Sequence, residues 1–137
     1  MSLYEMVGGM PTFKTLVDAF YARVEADDRL RSMFPDDLEP GKRYQMLFLA
    51  QYFGGPTDYD GERGHPRLRM RHMPFAIDHA AQSAWLEHML AAIDIAGIQE
   101  PMRGEMRAYF TRGSEFMINR FPENPANAPA APTESRS

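Results

Sequence analysis

The stretch RGHPRLRMRHMPF, residues 63–75, holds two of the chain's four histidines and four arginines, with apolar residues set among them. Pro66 and Pro74 leave room for only a short helix, because a residue that precedes proline avoids the helical region. On a helix over 67–72, Leu68 and His72 lie one turn apart on one face, and Arg67 and Arg71 one turn apart on the neighbouring face. The surface that results has an imidazole, an apolar platform beneath it and two guanidinium groups at its rim. It suits a flat, apolar, doubly anionic ligand coordinated through a metal. Haem has those properties: its iron takes an imidazole nitrogen, its ring wants apolar contact and its propionates attract arginine. Taken alone, the segment reads more readily as an ordinary solvated basic surface.

Other chemistries find less support. His65 and His72 are separated by Pro66, lack the spacing of a zinc-binding helix and have no carboxylate one turn away. With no cysteine in the chain, thiolate metal sites, disulfides and cysteine nucleophiles are excluded. No Gly-x-Ser-x-Gly elbow is present. A net charge of −4 argues against nucleic acid as a partner. No run of about 18 apolar residues predicts a membrane span. The start, MSLYEMVGG, does not resemble a signal peptide, so a cytoplasmic protein is expected.

The length of 137 residues, 44% of them hydrophobic, predicts one domain with a real core. Gly and Pro divide the chain into helices. A short turn over 2–7 ends at Gly8-Gly9. Phe13, Leu16, Val17, Phe20 and Val24 mark a helix over about 11–27, with Tyr21 beside the stripe. DDRLRSMF forms a short piece ending at Pro35. A helix over about 40–53 carries Tyr44, Leu47, Phe48 and Tyr52. Residues 54–66, with six Gly or Pro positions, read as a loop. Asp78 is a plausible cap for a helix to about 96, with Ala81, Trp85, Met89, Ala92 and Ile93 on one side. The last helix, about 101–120, turns Met102, Met106, Tyr109, Phe110, Phe116 and Met117 inward. PENPANAPAAPTESRS, residues 122–137, is expected to be disordered. No β-branched alternation occurs, so the fold is read as all-α.

The wider pattern resembles the truncated haemoglobins, specifically group II. LYEMVGG, the Phe20-Tyr21 pair, MFPDD, FLAQYFGGP, RGHPRLRMRHMPF and AWLEHM carry the resemblance, over about residues 3–121. It implies a two-over-two helical sandwich around haem b (iron protoporphyrin IX) in residues 1–121, with the glycine pairs 8–9 and 54–55 permitting the shortened fold. It implies His72 as the proximal iron ligand, and Tyr21, Gln45 and Trp85 as distal side chains that stabilise a bound ligand. Phe34 stands where some members have a second tyrosine, and Gly41 where other globins place a distal histidine. Leu47, Phe48, Leu68, Met73, Phe75, Ile77 and Met89 are the remaining expected pocket residues. Met73 replaces an alanine common in the family. Arg71, Arg67, Arg43, Tyr44 and Tyr59 are the candidate propionate partners. His79 and His88 read as surface residues. Taken singly, Tyr21 also reads as a half-buried helix residue, Trp85 as core, and Gln45 as solvent-facing.

The function implied is reversible binding of dioxygen and other small diatomic or anionic ligands (CO, NO, cyanide, sulfide). Peroxidase-like or nitric oxide dioxygenase activity, with a reductase or other electron donor as partner, is the alternative. It ranks lower because Gly41 offers no acid–base group and His72 has no evident carboxylate partner. A haem-free interaction module is a third reading. Monomer and homodimer are both compatible with the sequence.

Overall fold

In a computed structural model, described over residues 1–63 and 77–119, seven helices follow in order. They are α1 (Leu3–Met6), α2 (Met10–Glu25), α3 (Asp28–Arg31), α4 (Glu39–Tyr52), α5 (Asp58–Arg63), α6 (His79–Ile95) and α7 (Met102–Phe116). No strand occurs among the described residues. The helix expected over 67–72, with Arg67, Leu68, Arg71, His72, Met73 and Phe75, lies outside the described residues, as does the tail 122–137.

The expected stripe on α2 is the centre of the core. Phe13, Leu16, Phe20 and Val24 are fully buried, and Val17 and Tyr21 nearly so. α2 packs against α4 and against α6, and α6 packs against α7. The pair α2–α4 therefore lies over the pair α6–α7, the expected two-over-two arrangement. Met89, Ala92 and Ile93 of α6 and Met106 of α7 complete the core without exposure. Each large apolar side chain buried this way contributes about 1.5–3 kcal/mol.

The short α1 is fixed by its N-terminal cap and by a backbone contact to the end of α4. Its N-terminus has a capping box, in which Ser2 Oγ accepts from the Glu5 N–H at 3.3 Å and Glu5 Oε1 accepts from the Ser2 N–H at 3.1 Å. The Tyr4 N–H donates to the Phe53 carbonyl at 2.9 Å. The glycine pair after α4 receives this helix. Gly54 holds a φ of +103°, and a Cβ on Gly55 would come within 2.6–2.8 Å of three Tyr4 ring atoms.

Two expectations are corrected. Residues 54–66 are not all loop, because Asp58–Arg63 forms α5. The Gly and Pro residues fall on its flanks with only Gly61 inside. Asp58, the first residue of α5, suits the positive end of its dipole. Tyr59 is 4% exposed and meets Phe48 edge-on with ring centroids 5.4 Å apart, which anchors the turn. The last helix stops at Phe116 rather than near 120, and Phe116 is 62% exposed rather than inward. Beyond it the chain pairs with the start of α6 instead. The Asn119 N–H donates to the Ile77 carbonyl, and Asn119 Oδ1 accepts from the Ile77 N–H, both at 2.8 Å. Asp78 caps α6 as expected, accepting from the Ala81 N–H at 2.8 Å.

Candidate functional site

Where α2, α4, α6 and α7 converge, the structure encloses a cavity of about 280 Å³. Tyr21 from α2, Gln45 from α4 and Trp85 from α6 all line it, so three side chains far apart in sequence share one space. The rest of the lining is mainly apolar. Phe34, Phe48 and Ile77 are among it, as the sequence led us to expect.

Aromatic contacts set the orientation of Tyr21. Its ring meets Phe20 at 5.4 Å and 89°, and Phe34 at 5.8 Å and 84°. Phe20 in turn meets Trp85 at 5.2 Å and 62°. Such edge-to-face pairs favour one ring placement over others. Tyr21 is 7% exposed, so the half-buried alternative does not hold. Burial pushes its phenol up to about 12. The hydroxyl stays a neutral donor at physiological pH. It lies beside α4 at Gly41, where a Cβ would sit 2.9 Å from the Tyr21 oxygen.

Gln45 is not solvent-facing either. Its Oε1 is buried with no hydrogen-bond partner among the described residues. A buried polar atom without a partner is destabilising, and this one leaves an acceptor facing the cavity that a bound group can use. Trp85 is half-buried and shared between the Phe20 and Phe110 rings, with Phe110 at 6.0 Å.

Other expected residues fall elsewhere. Leu47 and Met89 are buried outside the cavity lining, Met89 in the main core. Arg43 is exposed and Tyr44 half-buried on α4, and Tyr59 packs on Phe48. None of these three lines the cavity.

The lining also includes residues that the sequence reading did not assign to the pocket. Met33, Gln82 and Ser114 are there, with Tyr109, Phe110 and Met117, which had been read only as inward-facing. Gln82 donates through Nε2 to Ser114 Oγ at 2.8 Å, and Ser114 Oγ donates to the Thr111 carbonyl at 3.1 Å. Gln82 sits three residues before Trp85, on the same side of α6, and that spacing could have revealed it.

His88 is a correction. It is 6% exposed, not a surface residue. Arg23 Nε donates to its Nδ1 at 3.0 Å, so the ring proton sits on Nε2 and goes to Asp27 Oδ2 at 2.6 Å. Asp27 also caps α3 through the Arg29 N–H at 2.8 Å. The Arg29 guanidinium, and then His88, hold the Asp27 carboxyl well below the usual carboxylate range. Together these contacts tie the α2–α3 corner to α6, beside the Met33–Pro35 wall of the cavity.

Among the described residues there is no group of three or more His, Asp or Glu that could hold a metal ion, and no helix long and apolar enough to cross a membrane.

Comparison with known proteins identifies this architecture. Residues 2–119 match the family described as bacterial-like globin. The chain is 40% identical over 116 residues to the group 2 truncated hemoglobin YjbI of Bacillus subtilis, covering 85% of this chain and 87% of that one. The crystal structure of a hemoglobin from Chloroflexus aurantiacus superposes with a TM-score of 0.87 at 59% identity, covering 88% of this chain and 99% of that one. The group II truncated hemoglobin of Bacillus anthracis gives 0.86 at 38% identity, over 89% and 99% of the two chains. With the two-over-two fold and the cavity between its layers, this chain belongs to the bacterial-like globin family, among the group II truncated haemoglobins.

Proposed function

We propose that the protein reversibly binds dioxygen and other small ligands (CO, NO, cyanide, sulfide) at a haem iron ligated by His72, with Tyr21, Gln45 and Trp85 stabilising the bound ligand. Haem b is the cofactor of this family. The residues present fit it: an aromatic and aliphatic cavity, hydrogen-bonding side chains grouped at one place, and a buried Gln45 oxygen awaiting a partner. Bound haem b supplies an iron with a coordination position open to a small molecule.

The chain's own residues then decide how long the ligand stays. The Tyr21 hydroxyl and the Trp85 indole N–H donate, while the Gln45 amide offers a donor at Nε2 and an acceptor at Oε1. A ligand with negative charge on its outer atom gains from the donors. One that carries a proton, such as hydrosulfide, gains from the Gln45 oxygen. The surrounding Phe20, Phe34, Phe48 and Leu49 keep water away, which strengthens each contact. Each hydrogen bond contributes about 0.5–1.5 kcal/mol. Two or three together slow release by one to a few orders of magnitude, since about 1.4 kcal/mol is tenfold. Slow release suits capture, sensing or redox use better than bulk transport. Arg71 and Arg67, on the His72 segment, are the proposed propionate partners.

The single observation that carries this reading is the convergence of Tyr21, Gln45 and Trp85 on one otherwise apolar cavity. The test is the dioxygen dissociation rate of Tyr21→Phe. It should rise about tenfold; an unchanged rate removes Tyr21 from the ligand contacts.

A further inference from the structure

We infer that Gly41 is a positioning residue for Tyr21: the missing side chain at 41 is what lets the Tyr21 hydroxyl stand in the cavity. The functional consequence rests on the proposed ligand contact of Tyr21, while the spatial claim does not.

The backbone does not require glycine here. Gly41 is within the first turn of α4 and is not among the positive-φ glycines. Glycine weakens a helix relative to alanine, so its presence calls for another reason. Space supplies one. A Cβ at 41 would lie 2.9 Å from the Tyr21 oxygen but 3.7 Å from Cζ and 3.9 Å from Cε1. Only the hydroxyl conflicts; the ring carbons would be at ordinary contact distance. Tyr21 cannot yield easily, because Phe20 and Phe34 meet its ring edge-on and it is nearly fully buried. The hydroxyl has no hydrogen-bond partner among the described residues that would fix it otherwise. Any residue with a Cβ at 41 is therefore incompatible with the present place of the Tyr21 oxygen. Position 41 thus controls where the Tyr21 oxygen stands, without itself offering a polar group.

Four holoproteins test this: the natural chain, Gly41→Ala, Tyr21→Phe and the double variant. Three quantities are read: the dioxygen dissociation rate, the C–O stretching frequency of the carbon monoxide complex, and the thermal unfolding midpoint. Gly41→Ala should lower the midpoint, speed release about tenfold and shift the C–O stretch in the same sense as Tyr21→Phe. With Phe at 21 the added methyl meets only ring carbon, so Gly41→Ala should leave release and the C–O stretch unchanged and should not lower the midpoint. A single variant that fails to fold while the double variant folds supports the inference in the same way. Equal effects of Gly41→Ala in both backgrounds, or none in either, overturn it. If Tyr21→Phe leaves release unchanged, the proposed ligand contact falls and the midpoints alone decide: non-additive midpoints uphold the positioning role, additive ones overturn it.

Discussion

Replacing Gln45 with methionine should make the protein more stable and worse at holding its ligand. The buried Gln45 oxygen has no partner among the described residues, and such a group carries a desolvation penalty of about 1–3 kcal/mol. Methionine has a similar volume and helix propensity, and its thioether adapts to an irregular apolar wall. Phe48 and Leu49 stand on the same helix and line the same cavity. Relief of about 1–2 kcal/mol corresponds to a rise of roughly 3–8 °C in the unfolding midpoint for a domain of this size. The variant also loses the amide donor. Dioxygen release should quicken by about two- to tenfold, from a hydrogen bond of about 0.5–1.5 kcal/mol. Calorimetry of the carbon monoxide form and stopped-flow replacement of dioxygen read the two effects separately. A lowered midpoint would show that the Gln45 oxygen is satisfied in solution, and the reasoning from its isolation would fail. Unchanged release alongside a raised midpoint would remove Gln45 from the ligand contacts only.

Gly55→Ala should lower the unfolding midpoint by an amount equivalent to about 1–3 kcal/mol, since its Cβ would press into the Tyr4 ring and force α1 outward; thermal unfolding followed by circular dichroism measures it. Asp27→Asn should flatten the acid limb of stability. The Asp27 carboxyl is held low when folded, so its contribution is present above about pH 4 and is lost as pH falls below that. Urea unfolding at pH 7, 4 and 3 should show a smaller loss in the variant than in the natural chain, and parallel losses would refute the role of Asp27.

Much of the fold was legible because its signals are local. The α2 stripe, the Asp78 cap and the glycine breaks follow from spacing and side-chain chemistry within a few residues. α5 was missed because Gly and Pro on both flanks outweighed the six residues between them. The end of α7 was missed because its stop signal is a pairing of Asn119 with Ile77, 42 positions away. At the site, Tyr21, Gln45 and Trp85 could be named only through the whole pattern, since each alone reads as an ordinary helix residue. His88 shows the limit most plainly. Nothing beside it in the sequence announces Asp27 or Arg23, and a histidine next to Glu87 on a helix reads as solvated.

That His88 contact bears on how a small molecule reaches the cavity. α2 and α6 hold fully buried side chains, while α3 buries only Leu30, and Pro35, Asp36 and Asp37 lie exposed just after it. Amide hydrogens on α2 and α6 therefore exchange slowest, and those over 32–38 exchange by small local openings. Of the described lining, the Met33–Pro35 side is thus expected to open more readily than the α2 and α6 side. If a ligand binds as proposed, its entry rate should rise when that corner is loosened, as in Asp27→Asn. The contacts of Asp27 and His88 are what hold the α2–α3 corner in place there.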